Sequence, residues 1–360
     1  MNEKIRLLRE RLRNLKLEGM IVTNPVSIKY LTNIENEGTL LITRKENIFL
    51  TYTMFLESVR KTVTINDEII VADFRDVSEY ENFFLFCENV GFEENYVTYK
   101  QYYYLKQKYK VNNLSETEDI IEKLRAVKDN EEIYKIKKAC EITDKCFNHL
   151  LEFIKVGKTE KEIAFEIEMF FRKNGAEGLA FNPVVAIGEN SADPHWKPSD
   201  RAVQTADPIL IDMGCKYKGY CSDMTRTVFA GCVPGSIRTI YDLVLKNQLQ
   251  TQKDLKEGAN IRIMSRNVEN DFKINGYDLI HALGHGVGLE IHELPYISAK
   301  NDNQLKANMV ITNEPGIYLP NSYGVRIEDT VLITKSGCIN LTKSNKNYVI
   351  VDEKWKSIDF

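Results

Sequence analysis

The first third of the chain alternates between helical and strand-like patterns. In residues 4–17, isoleucine and leucine recur at helical spacing with charged residues between them, which predicts a helix. The runs GMIVTN and EIIVADF are predicted as strands, SIKYLT as a short helix, and TLLITRKENIFLTY as a hairpin that turns at residues 44–47. We therefore predict an α/β domain here, without a cluster of catalytic residue types.

Amphipathic helices dominate the middle of the chain. Residues 115–135 are highly charged and are predicted to be helical, forming the connection into the second half. From there to Phe171, apolar residues keep the spacing of helices that bury one face. Thr159, with Glu162 three positions later, has the pattern of a capping box, so a helix is predicted to begin there.

After residue 180 the pattern changes to strands and turns. The strand-like runs include PILIDMG, SDMTRTVF, GHGVGL, MVITNEPG and GVRIEDTVLIT. Helices followed by such a half predict an α+β fold, in which helices cover one face of a mainly antiparallel sheet. Two pairs of these runs resemble each other, because each pair carries one carboxylate on either arm.

Composition narrows the class of protein. A chain of 360 residues, 43% hydrophobic and 28% charged, is long enough for two domains of ordinary globular composition. The net charge of −4 offers no basic surface for nucleic acid, and no apolar stretch approaches the ~20 residues that span a membrane. Seven cysteines without a CxxC pair, behind a charged N-terminus, predict reduced thiols in a cytoplasmic protein.

Candidate chemistry is concentrated in the second half. Four of the five histidines lie in two short segments, and four carboxylates lie at the ends of strand-like runs. These residues are His195, His281, His285, His292, Asp212, Asp223, Glu314 and Glu328. Carboxylate and imidazole without cysteine is the ligand chemistry of a hard or borderline divalent metal ion.

The spacing of the two aspartates favours such a site. If the loop between their strands is centred between Tyr217 and Lys218, Asp212 lies directly opposite Asp223, with Cβ atoms ~5 Å apart. Like charges in that position destabilise a hairpin unless a cation lies between them. The alternative is a different register, with both aspartates at the surface.

The histidine segment favours a site over a structural role. His281 and His285 are four residues apart, but the glycines at 284, 286 and 288 predict an extended segment with close backbone approach rather than a helix. A single histidine is more often a hydrogen-bonded core residue. Three within twelve residues favour a functional site.

Two further carboxylates complete a ligand set. Glu314 precedes a proline, which biases its backbone to an extended conformation, and Glu328 shares one face of a strand with Arg326. Arg326 either forms a plain ion pair or orients a ligand. Four carboxylates and one histidine suit two cations bridged by shared carboxylates, with histidines left for proton transfer and oxyanion binding.

At these residues the chain resembles the metallopeptidases of the pita-bread fold, in the Xaa-Pro branch of prolidase and aminopeptidase P. The motifs are NPVVAIGENSADPHW, LIDMG with SDMTRT, GHGVGLEIHE, NEPGIY and VRIEDT, in this order over residues 180–335. The stretch TNPVSIKYLT resembles the creatinase-type N-terminal domain of that branch. The resemblance implies a creatinase-like domain over residues 1–125 and a pita-bread catalytic domain over residues 126–360.

The resemblance also implies a role for each ligand. Asp212 would chelate one metal ion, and Asp223 and Glu328 would bridge both. His285 and Glu314 would hold the second ion, and Glu314 would accept the proton of the nucleophilic water. All five residues are present, whereas creatine amidinohydrolase and the chaperone-like relatives lack the full set.

The remaining residues fall at substrate positions of the family. The resemblance places His195 and His292 in substrate binding and proton transfer, His281 along the pocket for proline, and Arg326 beside the bridging glutamate at a substrate-binding position. Relatives often carry a small residue or a second histidine where this chain has Trp196, and the role of Trp196 is left open.

The function implied is that of a dinuclear-metal exopeptidase that cleaves the bond before proline in dipeptides or short peptides. Mn²⁺ is the expected ion, although the ligands also admit Co²⁺, Zn²⁺ or Fe²⁺. A homodimer is expected, with no nucleic-acid or membrane partner. Prolidase and aminopeptidase P remain alternatives, because they differ in whether the pocket accepts peptide beyond proline. The alternative from another class is a binding protein that retains the fold without hydrolysis.

Overall fold

A computed structural model describes residues 2–63 and 68–352. Contacts between Cα atoms divide the chain into two compact units, Met1–Arg125 and Ala126–Phe360. Within the described ranges, no helix is both long enough and apolar enough to cross a membrane.

The first unit is built on a mixed six-stranded sheet. Its strands are β1 (Gly19–Val22), β2 (Gly38–Thr43), β3 (Asn47–Thr51), β4 (Ile69–Asp73), β5 (Asn89–Phe92) and β6 (Asn113–Glu116). The order is β4-β3-β2-β1-β5-β6; β2 is antiparallel to both its neighbours and the remaining pairs are parallel. The helices are α1 (Glu3–Asn14), α2 (Pro25–Thr32), α3 (Leu56–Thr62), α4 (Tyr99–Lys108) and α5 (Ile120–Arg125).

The predicted elements of this unit are confirmed. Helix α1 begins where the side chain of Asn2 accepts the N–H groups of Lys4 and Ile5, and it buries Ile5, Leu8 and Leu12. The β2–β3 hairpin turns between Thr43 and Asn47, as the alternation predicted. Strand β1 is buried along its whole length, which its continuous apolar run explains.

The connection between the units is less helical than predicted. Strand β6 and a turn occupy its first part, where Glu118 and Asp119 adopt φ of 53° and 56°. A new helix then begins at Asn130, because the Asp129 side chain and Glu132 form a capping box. The prediction of helix over residues 115–135 is therefore confirmed for Ile120–Arg125 and from Asn130 onward, and is wrong for residues 115–119 and 126–129. Local capping chemistry decides where the second helix begins.

The second unit contains four long helices and several sheets among its described residues, and all the strand pairs of these sheets except β12–β20 are antiparallel. The helices are α6 (Asn130–Phe153), α7 (Glu160–Lys173), α8 (Gly235–Asp254) and α9 (Ile261–Ile274). The strands are β7 (Gly178–Leu179), β8 (Val184–Ile187), β9 (Pro208–Met213), β10 (Cys215–Tyr217), β11 (Tyr220–Cys221), β12 (Met224–Ala230), β13 (Gly284–Gly286), β14 (Glu293–Ile297), β15 (Val310–Asn313), β16 (Gly316–Leu319), β17 (Tyr323–Arg326), β18 (Asp329–Ile333), β19 (Cys338–Asn340) and β20 (Ile350–Val351).

Two of these sheets carry the site, and helices cover one face of each. The first has the order β20-β12-β9-β8, and α6 and α7 pack against it around Ile163, Ile167 and Phe171. The second has the order β14-β13-β15-β18-β19, and residues of α8 and α9 share its core. Because helices occupy one face of each sheet, the alternate side chains of the strands are directed to the other face. This is the predicted α+β arrangement.

Candidate active site

Strand alternation puts the candidate ligands on the faces away from the helices. In β9, Ile209 and Ile211 join the core with α6 and α7, so Leu210 and Asp212 lie on the opposite face. In β18, Val331 belongs to the core with α8 and α9. The even-numbered residues of this segment, which include Glu328 directly before the strand, therefore lie on the opposite face.

The two strand pairs that resemble each other in sequence are also alike in structure. Strands β9 and β12 pair antiparallel, as do β15 and β18. One step beyond the Asn313–Asp329 pair, the β15–β18 register brings Glu314 opposite Glu328. Each pair therefore presents two carboxylates at one end.

The register predicted for the two aspartates is wrong. Asp212 pairs with Thr225, not with Asp223. The turn of this hairpin lies one residue further along the chain, at Lys218 and Gly219, which adopt φ of 48° and 81°. A two-residue turn with positive φ at both central positions matches strand twist, and glycine supplies one of them without strain. Asp223 instead exchanges backbone hydrogen bonds with the Thr330 side chain of β18.

All nine residues singled out from the sequence nevertheless line one cavity, of about 780 Å³. They are His195, Asp212, Asp223, His281, His285, His292, Glu314, Arg326 and Glu328. The predicted extended conformation of the histidine segment is confirmed by β13, where a Cβ at Gly284 or Gly286 would collide with neighbouring backbone.

The donor atoms fit a metal site. One atom from each of Asp223, His285 and Glu328 lies within 4.8 Å of the other two. Nε2 of His285 is 3.5 Å from Oδ2 of Asp223 and 3.3 Å from Oε1 of Glu314. Among the described residues, one buried carboxylate oxygen of each of Asp212, Asp223 and Glu328 finds no hydrogen-bond partner, which is costly unless a cation satisfies it.

The electrostatics of the cavity also favour a cation. Desolvation raises the pKa of Asp223 well above its ordinary value, and the negative charges of Glu328 and Asp212 raise it further. Desolvation likewise raises the pKa of Glu328 and of Glu314. Burial lowers the pKa of His285, which favours the neutral imidazole that binds metal. A bound cation would reverse the carboxylate shifts, since opposite charge stabilises the ionised form.

Hydrogen bonds orient the imidazole of His285. Its Nδ1 lies 3.1 Å from the carbonyl oxygen of Gly286, which makes Nδ1–H the donor and leaves Nε2 free as a ligand. Its backbone N–H donates to the hydroxyl of Thr312, and that hydroxyl donates to Oε1 of Glu314 at 2.9 Å. Thr312 therefore couples the position of the histidine to that of the glutamate.

Arg326 connects three other groups. Its Nη2 is 2.6 Å from Oδ2 of Asp212, so the arginine forms its ion pair with Asp212 and not with Glu328, the partner considered from the sequence. Its Nη1 donates to the hydroxyl of Tyr318 and its Nε to the hydroxyl of Thr225. Thr225 in turn donates to Glu328 at 2.7 Å. The guanidinium thus reaches the glutamate through Thr225 and holds Asp212 directly.

A buried arginine joins the two strand pairs behind the cavity. Nη2 of Arg226 lies 2.7 Å from Oδ1 of Asp329, and Nη1 donates to the carbonyls of Thr225 and Glu328. Both partners of the ion pair are almost inaccessible to solvent. Removing one partner of such a buried ion pair typically costs ~3–5 kcal/mol of folding free energy. Because Arg226 bonds to both strand pairs, it fixes the spacing of the strands that carry Asp223 and Glu328.

The other three histidines border the ligand cluster. Nε2 of His281 is 3.0 Å from the hydroxyl of Tyr318. The rings of His292 and His285 meet edge to face with centroids 4.3 Å apart. His195 is exposed, and its backbone N–H donates to Asp193. Desolvation lowers the pKa of His281 and of His292.

The sequence reasoning missed three residues that orient the site, namely Thr225, Thr312 and Tyr318. Each threonine lies two positions from a candidate ligand in an alternating strand, Thr225 after Asp223 and Thr312 before Glu314, so a shared face was a usable signal. Tyr318 had no comparable signal, because its contacts depend on how the β16–β17 hairpin lies beside Arg326.

Comparisons with known families define the class of protein. The model of the creatinase/prolidase N-terminal domain matches residues 4–127, and the model of metallopeptidase family M24 matches residues 134–335. With the fold and the cavity described above, these matches define a metallopeptidase of the pita-bread type. The chain belongs to metallopeptidase family M24.

Individual relatives match nearly the whole chain. The Xaa-Pro dipeptidase of Pyrococcus furiosus is 35% identical over 350 residues, covering 96% of this chain and 99% of the relative. Among solved structures, the Xaa-Pro dipeptidase from Bacillus anthracis has a TM-score of 0.92 at 35% identity, covering 97% and 99% of the two chains. The X-Pro aminopeptidase from Thermotoga maritima has a TM-score of 0.86 at 31% identity, covering 95% and 100%.

Replacing Asp223 by Asn should affect the melting temperature differently in the absence and in the presence of metal. Without metal, Asp223→Asn should melt at or above the temperature of the original protein, because the change removes one of several buried charges that repel each other. With excess Mn²⁺, the original protein should gain stability by mass action and the variant should gain much less. Thermal unfolding in chelator and in Mn²⁺ measures both effects.

Asp76→Asn is the matched control, since Asp76 is exposed in the first unit. It should shift neither melting temperature. Equal stabilisation of Asp223→Asn and the original protein by Mn²⁺ would contradict the assignment of Asp223 as a ligand.

Proposed function

We propose that this chain is a dinuclear-metal exopeptidase that hydrolyses the bond between an N-terminal residue and a following proline. The observation that carries the proposal is one cavity in which three buried carboxylate oxygens have no hydrogen-bond partner in the described part of the chain and lie beside a histidine whose pKa is lowered by burial. The names of the relatives, Xaa-Pro dipeptidase and X-Pro aminopeptidase, support the choice of proline peptides as substrates.

Five residues would hold the ions. We assign Asp212 to one ion, His285 and Glu314 to the other, and Asp223 and Glu328 to both. The pair of ions would supply Lewis acidity for the peptide carbonyl and for activation of water at neutral pH. Mn²⁺ is the proposed ion, because oxygen-rich ligands with a single imidazole suit it.

Proton transfer falls to residues at the edge of the cluster. Glu314 is assigned to accept a proton, because its carboxylate lines the cavity where the water would be activated. Its Oε1 already accepts the Thr312 hydroxyl, which holds the carboxylate in one orientation. His292 and His195 line the same cavity, and we assign them to the oxyanion and to the leaving amine.

Proline recognition is assigned to the side of the cavity that holds His281. A proline nitrogen in a peptide bond carries no N–H and its ring fixes φ, so the site must recognise ring shape rather than a donor. His281 and Tyr318 are hydrogen-bonded to each other there. Burial lowers the pKa of His281, which favours the neutral imidazole. Arg326 lies behind them and donates to Tyr318.

The cellular setting is also a proposal. Seven cysteines without a disulfide suit a reducing compartment, and we infer a cytoplasmic enzyme. We retain the prediction of a homodimer, which oligomeric mass measurement tests. Short proline-containing peptides are the proposed partners.

Replacing His292 by Ala should leave metal content unchanged and lower kcat by ~10²–10³, the usual cost of losing one oxyanion donor. Elemental analysis and steady-state kinetics on the same preparation measure the two effects.

The control is His149→Ala, because His149 lies on α6 and pairs with Glu166 away from the cavity. It should change neither quantity. Loss of metal from the His292 variant would mean that a ligand has been misassigned, and an unchanged kcat would remove its proposed role.

Substrate choice tests the function itself. We expect hydrolysis of Met-Pro or Ala-Pro-Ala and little hydrolysis of Ala-Ala-Ala, because the pocket is assigned to a ring without an N–H. Release of the N-terminal amino acid from each peptide by the Mn²⁺-loaded protein measures this. Rapid cleavage of Ala-Ala-Ala with both proline peptides intact would contradict the specificity. Tight binding of proline peptides without any turnover would instead favour a non-hydrolytic binding protein.

A further inference from the structure

A buried carboxylate outside the ligand cluster, that of Glu160, organises the segment that carries His195. Glu160, the first residue of α7, is inaccessible to solvent. It accepts five hydrogen bonds, from the backbone N–H groups of Ile187 and Ser199, the Ser199 hydroxyl, the Asn190 amide and the Trp196 indole. The distances lie between 2.6 and 2.8 Å.

The carboxylate of Glu160 holds the groups around it in place through these hydrogen bonds. A carboxylate excluded from water is costly to bury, and here the compensation comes from neutral donors and the N-terminal end of α7. The donors flank His195 on both sides, since Asn190 precedes it and Trp196 and Ser199 follow it. One side chain therefore fixes both ends of the segment.

Glu160 also fixes the direction of the Trp196 ring. The indole N–H donates to Oε2 at 2.8 Å, and the ring packs against Val184, Ala186, Leu210 and Tyr318 while lining the cavity. Tyr318 contacts His281, so Trp196 borders the side of the cavity assigned to proline. The next residue, Lys197, is exposed and lines the same cavity.

We propose that Trp196 and Lys197 are specificity-determining residues that select peptides ending in proline, and that Glu160 is the positioning residue that holds them. The proposal rests on the function proposed above. We assign the fixed indole, which lines the cavity, to block the space that a peptide continuing past proline would need. We assign the ammonium group of Lys197, which lines the same cavity, to attract the free carboxylate of a C-terminal proline. The chain is accordingly a dipeptidase rather than an aminopeptidase acting on longer peptides.

The test compares Ala-Pro, Ala-Pro-NH2 and Ala-Pro-Ala on one set of variants. The original protein should prefer Ala-Pro over both others by about tenfold or more in kcat/KM, the scale on which pocket contacts discriminate. Lys197→Gln should abolish the preference over Ala-Pro-NH2 through KM, whereas Lys197→Arg should keep it. Trp196→Gly should raise kcat/KM for Ala-Pro-Ala relative to Ala-Pro by about tenfold, with metal content unchanged.

The fluorescence anisotropy decay of Trp196 tests the role of Glu160 separately. Trp196 is one of two tryptophans, so a Trp355→Phe background leaves it as the single fluorophore. Glu160→Gln puts an amide N–H among groups that all donate, so faster anisotropy decay of Trp196 and a weaker preference for Ala-Pro are expected. Glu152→Gln, at an exposed position of α6, is the control and should change neither.

The outcomes distinguish this inference from the proposed function. Cleavage of all three proline peptides with similar kcat/KM by the original protein would overturn the inference alone. An unchanged preference in both Lys197→Gln and Trp196→Gly would do the same. Failure to cleave any proline peptide would overturn the proposed function, and this inference with it.

Discussion

Mutual repulsion among buried carboxylates is the constraint on which the second unit depends. Asp223 and Glu328 are nearly excluded from solvent and each has a raised pKa. One oxygen of each carboxylate has no hydrogen-bond partner among the residues that the structure describes. Within the part of the chain that the structure describes, Asp212 is the one carboxylate of this cluster that forms an ion pair with an arginine or lysine, namely Arg326. Such an arrangement stabilises nothing by itself, so it is best explained as a site prepared for positive charge.

The surrounding fold supplies the rigidity that this arrangement requires. Arg226 and Asp329 join the two strand pairs through an ion pair and backbone carbonyls. Thr225 and Thr312 each use one hydroxyl to orient a glutamate. The contacts behind the cavity, which are neutral or fully paired, thus stabilise the fold. Repulsion between like charges is limited to the carboxylates that are proposed to bind ions and substrate.

Much of this could be predicted from the sequence, because residue type and strand period carry the information. Alternation alone places Asp212 and Glu328 on the faces opposite the helices, and the capping box predicts the start of α7. The register of the β9–β12 hairpin could not be predicted, since it depends on a turn at Lys218 and Gly219. The role of Glu160 was also hidden, because its five donors come from residues distant in sequence.

Metal stoichiometry tests the central claim most directly. Equilibrium dialysis of the purified chain against Mn²⁺, followed by elemental analysis, should give about two ions per chain, as a bridged site requires. The Glu328→Ala protein should retain fewer, because its carboxylate is assigned to both ions. Retention of no metal by the original chain, or of two ions by the variant, would contradict the account.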